Sequence, residues 1–187
     1  MSRWFVYFLF YSFCGYGLEK LFARIIRSEY QVRKCFLFLP LCPVYGLAMA
    51  ALLALVPEGA GFFLSAALGG LVCTGVEYLV HLFYEQVFGV RFWDYRDLPW
   101  HIRGRVCPQF ALAWGVLSAA AVRWVQPVVE VLAVRAAPEA LYLLWLVLAV
   151  DGVFTGALLL RRRDPELLSI GALLSQSRAS SQSSTSL

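Results

Sequence analysis

Glu77, His81 and Glu85 follow one another at intervals of four residues, which on a helix puts all three on one face. Thr74 stands one turn earlier on nearly the same face. Two carboxylates around an imidazole can relay protons or hold a metal ion. All lie in an otherwise apolar run, residues 61–88. Ionisable side chains in a membrane helix are costly and point to function by default. A plainer reading is that Glu85 and His81 reach the headgroup layer, where polar tips are tolerated. Glu77 is deeper, and a buried carboxylate needs a partner. Arg105 is the first candidate for that partner and Lys20 the second. Asp151 in "LAVDGVF" stands alone among apolar residues. It either pairs with Arg105 or Tyr45, is held neutral by burial, or merely fixes helix register.

Two further stretches are dense in polar and aromatic residues. Residues 91–110, "RFWDYRDLPWHIRGRVCPQF", lie between two long apolar runs. Trp93, Tyr95 and Trp100 read as anchors at a membrane interface. Asp97, Leu98 and Pro99 read as the capped start of a turn or short helix. Gly104 lets the chain bend before Arg105. An aromatic belt with cytoplasmic arginines explains the tryptophans, but not Asp94, Asp97 and the proline and glycine so close together. In "LPLCPVYG", Pro40 and Pro43 remove two backbone donors. The segment is either an unwound pocket entrance beside Tyr45 or a helix started by proline.

The elements that would position these residues are spanning helices. The chain is 60% hydrophobic and 15% charged, with a mean hydropathy of +0.69. Soluble domains are less apolar and more charged. A spanning helix needs roughly 20 mostly apolar residues. Five runs qualify, at 4–26, 39–56, 61–88, 108–125 and 139–160. The expected fold class is all-α, a polytopic transmembrane bundle of five spanning helices. The domain is 1–163, with a loop at 89–107. The serine-rich tail, 164–187, is expected to be largely disordered, apart from a short interfacial helix near 167–174. Removing the chain after Pro165 is expected to leave folding intact. The first run is long enough to remain as an anchor rather than a cleaved signal.

Basic residues orient the bundle. Arg24, Arg27, Arg33 and Lys34 lie between the first two runs, Arg91, Arg96, Arg103 and Arg105 between the third and fourth, and Arg161 to Arg163 after the fifth. The link from the second run to the third has none, and the link from the fourth to the fifth carries Arg135, with Arg123 close to the end of the fourth run. Positive residues stay in the cytoplasm, so the N-terminus is outside and the C-terminus inside. Glu19, Tyr45, Glu77, Arg105 and Asp151 then converge on the cytoplasmic half of the bilayer as a polar pocket. Pro40, Pro43, Thr74, Tyr78, His81, Trp93, Asp94, Tyr95 and Gly104 form its rim or loop. Nothing comparable is expected on the outer side. Gly152 and Gly156 form a G-x-x-x-G pattern, for packing within the chain or a dimer contact. The five cysteines make no C-x-x-C pair and read as small buried thiols.

The chain resembles a bacterial membrane family, the putative ABC-transporter permeases (CmpB-like, type IV). The resembling pieces are "YSFCGYGLEKLF" with Glu19, "LPLCPVYG", "TGVEY" with Thr74, Glu77 and Tyr78, "FWDYRDLPWHIRGRVC", and "AWG" with Trp114 and Gly115. They cover the first four runs in order. The chain departs from the family pattern at Arg33, Lys34 and Cys35, and at His101. The resemblance implies a transporter subunit in the cell (inner) membrane. Its partners would be membrane lipids, an ATPase docking on the loop before Arg105, and a second copy of the chain.

No lysine here sits in a Gly-Lys-Ser/Thr motif, so the chain does not itself read as an ATPase. No standard nucleophile or zinc motif is present, and no metal or cofactor is expected. No separate basic domain suggests nucleic acid. Two alternatives stay open. One is a membrane-embedded enzyme or binder acting on a lipid or isoprenoid phosphate, with Arg105 holding phosphate and Glu77 or Asp151 as acid or base. The other is a structural or regulatory membrane protein.

Overall fold

The computed structural model describes residues 2–25, 35–57 and 59–168. Arg27, Arg33, Lys34 and the tail beyond 168 lie outside them. The described residues form five helices: α1 Ser2–Ile25, α2 Pro43–Leu55, α3 Phe62–Phe88, α4 Pro108–Arg135 and α5 Pro138–Arg162. Among these residues the one extended pairing is an isolated bridge between Ile102 and Val106.

Helices α3, α4 and α5 are long and apolar enough to cross a membrane. At 1.5 Å per residue each exceeds the roughly 30 Å hydrocarbon core. Large apolar side chains point outward from them, including Phe63, Leu71, Leu112 and Val153. Apolar surface on this scale suits lipid rather than water. The 24-residue α1 has the length, but its tyrosines, Glu19 and Lys20 make it less apolar. The 13-residue α2 is shorter than a span and begins later than the expected 39.

The proline-started helix is the reading that holds. Pro43 starts α2, and residues before it are irregular. Cys35, Leu37 and Cys42 of that stretch are buried, so its backbone donors need partners. The Cys42 N–H donates to the Ser12 carbonyl at 2.8 Å. Those of Phe38 and Leu39 donate to the Asp151 carboxylate at 3.2 and 2.9 Å. Asp151 therefore caps an irregular strand of chain and receives a further bond from Thr155. It does not pair with Arg105 or Tyr45.

Helix α4 runs ten residues past its expected end at 125. It passes Pro127 through a π turn, Ala121–Val125, and continues as Gln126–Arg135. A π turn is one of the few devices that absorb a proline inside a helix. The extension brings Gln126 and Glu130 against α1. Tyr11 donates to Gln126 at 2.9 Å, Arg3 pairs with Glu130 at 3.1 Å, and Tyr7 also donates to Glu130. The end of the bundle expected to be bare of polar contacts is thus tied by them.

Close approach between α3 and α4 depends on small residues. A Cβ at Gly115 would stand 2.8 Å from the Ala66 carbonyl oxygen, and one at Gly69 would strike Ser118. Gly156 instead meets the Phe88 ring and Gly152 lies near Leu37, both within the chain. Helix α1 packs on α2 and on the second half of α4, while the first half of α4 packs on α3. Toward Ile25, α1 touches the start of α4 through the Phe22 ring edge-on to Phe110, 6.0 Å between centroids, and a gap remains beside that contact.

A second core closes the loop end. Tyr84 and Phe88 of α3 pack with Phe92, Trp93, Tyr95, Leu159 and Leu168. Trp93 and Tyr95, expected as interfacial anchors, are buried here, and Trp100 is the exposed one. Leu168 is fully buried within the stretch expected to be dispensable, so truncation after Pro165 would open this core. Four of the five cysteines are buried, and all are free.

Candidate functional site

The gap between α1 and the start of α4 is a cavity of about 190 Å³. Glu19 enters it from α1, Tyr45 from α2 and Glu77 from α3. Tyr95 of the loop and Phe110 and Trp114 of α4 close it. Glu77 is 5% exposed. Its Oε1 accepts from the Tyr95 hydroxyl at 2.8 Å and its Oε2 from the Trp114 indole at 2.9 Å. Two donors aimed at two oxygens suit a carboxylate, which only accepts. Glu19 accepts from the Tyr45 hydroxyl at 2.9 Å. The Tyr45 ring leans on Trp114, 4.8 Å between centroids, and Tyr95 stacks on Phe110 at 4.7 Å. Burial, then the negative charge of Glu77, holds the Tyr95 phenol far above its ordinary range, so it remains a donor at neutral pH.

Arg105 does not reach Glu77. Its guanidinium binds Glu85 at 2.7 and 3.2 Å and the Tyr78 hydroxyl at 2.9 Å. Arg91 holds the other Glu85 oxygen, with its Nε at 2.9 Å. Lys20, the second candidate, lies over the Tyr16 ring. His81 was expected to be wetted, yet it is 2% exposed. Its Nε2 meets the Trp93 carbonyl at 3.0 Å, and its Nδ1 stands 3.9 Å from Glu85. No group of three or more metal-ligating side chains gathers among the described residues. The Glu77, His81, Glu85 face is thus shared between the cavity and the arginine cluster beside it. Thr74 lies on α3 with its hydroxyl buried and without a hydrogen bond.

The loop holds this arrangement in place. Trp93 donates from its indole to the Arg105 carbonyl at 3.0 Å, and the Tyr95 N–H bonds the Gly104 carbonyl at 2.8 Å. Gly104 turns the chain at φ +72°, and a Cβ there would lie 2.6 Å from Asp94, so glycine alone fits. Asp94 accepts from the Arg96 backbone at 3.0 Å and side chain at 2.7 Å. Those bonds hold its carboxyl below the usual aspartate range. Residues 96–100 form turns, not a helix.

Of the five expected pocket residues, the cavity gathers Glu19, Tyr45 and Glu77. Arg105 stands in the adjacent ion cluster, and Asp151 and Pro40 line a separate surface hollow beside α5. Pro43 lies at the start of α2. Trp114 and Phe110 escaped the residue-by-residue reading, although "AWG" carries part of the family resemblance. Glu130 lies beyond the fourth run's expected end at 125 and is not among the expected site residues.

These elements define an all-helical membrane protein with an acidic, aromatic cavity near one end. The sequence profile of the family described as putative ABC-transporter type IV matches residues 6–156. The chain belongs to that family, and the match includes every residue lining the cavity. No curated protein and no solved structure matches it.

Proposed function

We propose that this chain is the membrane-embedded, permease-like subunit of an ABC transporter, and that the cavity between α1 and α4 is its cargo pocket. Family membership supplies the transporter class. The observation that carries the pocket is Glu77, a buried carboxylate on an apolar helix, lining a partly open cavity with Glu19. Such a residue is costly in a membrane protein unless it has work to do. The proposed topology places five spans in the inner membrane, the N-terminus outside and the C-terminus inside, with 1–163 as the membrane domain. Residues 164–187 form the cytoplasmic tail, and α2 crosses together with the irregular chain before it. Five helices make a thin wall, so an ATPase subunit docked on loop 91–105, and a second copy of the chain, would complete a pathway. The phosphate-handling alternative loses support because Arg105, its intended phosphate donor, is engaged by Glu85.

Gentle extraction followed by native mass spectrometry tests this reading. A stoichiometric ATPase subunit is the expected companion, and substitution of Arg96 and Arg103 in the loop should release it. Recovery of the chain without an ATPase, from membranes in which it is active, would sink the proposal. Topology has its own check. A single cysteine at Pro57→Cys in a cysteine-free background should react with an impermeant reagent from outside, and labelling from inside would reverse the orientation.

A further inference from the structure

The chemistry of the cavity wall selects its cargo. Glu19 and Glu77 bring carboxylates from two different helices, and Tyr45, Tyr95, Phe110 and Trp114 bring ring surfaces. The tyrosine hydroxyls and the Trp114 N–H turn toward the carboxylates. These bonds fix where the negative charge sits, and they commit the polar edges of those rings. Carboxylates set among aromatic rings are complementary to a cation, above all a weakly hydrated alkylammonium, which is held by charge and by the ring quadrupoles together. The same wall repels a phosphate or carboxylate head.

A second hollow, of about 250 Å³, adjoins the first and shares Leu18, Tyr45, Trp114 and Leu117 with it. It runs along α1 and α4 past Met49 to Trp124, and its lining is almost wholly apolar. The combined shape has an acidic head compartment and an oily extension. Helix α4 presents both, and its outward face, at Leu112 and Val116, is exposed apolar surface of the kind that meets lipid.

We infer that the cavity binds an amphiphile with an ammonium head and a single alkyl chain, taken from the bilayer, with the head between Glu19 and Glu77 and the chain along α1 and α4. This deepens the transporter reading and rests on it for the word cargo. The binding chemistry itself rests on the residues lining the two hollows.

The test uses the full chain in nanodiscs of zwitterionic lipid, with dodecyltrimethylammonium as probe and dodecyl phosphate as the same tail with opposite charge. Binding is read from tryptophan emission, since Trp114 lines both hollows. Saturable binding of the ammonium probe is expected, at least about ten-fold tighter than the phosphate. Glu77→Gln places an amide opposite two donors and can disturb the fold. Glu19→Gln is therefore the primary variant, expected to weaken the ammonium probe about ten-fold while leaving helix content and melting unchanged. Equal or tighter binding of dodecyl phosphate would overturn the inference, as would an unchanged affinity in Glu19→Gln. The ATPase is scored in the same preparations. An ATPase without ammonium binding removes this inference and leaves the permease reading, whereas ammonium binding without an ATPase does the reverse.

Discussion

Glu77 and Glu85 are the same residue type, two turns apart on α3, yet they live in different surroundings. Glu85 is 24% exposed at the side chain and gathers Arg91 and Arg105. Glu77 is nearly enclosed and takes hydrogen bonds from a phenol and an indole. Bringing a guanidinium into the interior carries a desolvation cost that can exceed its attraction to a carboxylate. At the helix end, water offsets much of that cost. Arg105, itself only 10% exposed at the side chain, accordingly meets the more solvated of the two carboxylates, and the inner glutamate is positioned by polar rings. One acid fastens the loop to the bundle, while the other faces a cavity.

The strongest way to break this contrast is Glu77→Leu. It leaves the Tyr95 hydroxyl and the Trp114 N–H buried without that acceptor. At the cost of one unsatisfied donor each, stability should fall by about 2–6 kcal/mol. Denaturant titration in micelles measures this, and a loss below about 1 kcal/mol would mean that water or another group already serves those donors. Arg105→Ala should have a smaller effect, because Arg91 remains on Glu85. Its signature is local. Loop amides from Tyr95 to Val106 should exchange faster, with those of α4 beyond Trp114 unchanged, and uniform loss of protection would show that Arg105 supports the whole bundle.

The smallest effect sharpens the comparison at the exposed edge. Asp94 has its carboxyl lowered by Arg96, so its contribution is full above the ordinary aspartate value of 3.8 and fades as pH falls through the lower folded value. Its side chain is partly exposed, and its worth is less than about 1 kcal/mol. Emission from the exposed Trp100 should therefore change below about pH 4 in the wild type and lose most of that change in Asp94→Asn. An identical acid transition in both proteins would assign it to other carboxylates.

The sequence determined a good deal of this protein. Hydropathy over long runs made it a helical membrane chain, because the bilayer demands about 20 apolar residues per crossing. The rarity of acids in such runs singled out Glu19, Glu77 and Asp151, and the motifs around them led to the correct family. Helix ends were less legible. The fourth apolar run reads to 125, and the packing of Tyr7 and Tyr11 against Glu130 and Gln126 goes with the continuation of α4 to Arg135. Partner choice was not legible at all. Arg105 is 28 residues from Glu77 and 20 from Glu85 in sequence, and nothing in residue type distinguishes the two acids. The fold decided between them by depth, which sets the cost of desolvating an arginine, and by the turn at Gly104, which sets where the side chain points. Asp151 was equally ambiguous until the chain before Pro43 proved irregular and supplied two N–H groups in need of an acceptor. Composition and periodicity fix which surfaces meet lipid. The pairing of a few buried polar groups depends on contacts between residues far apart in the chain, and those exist only once the helices have packed.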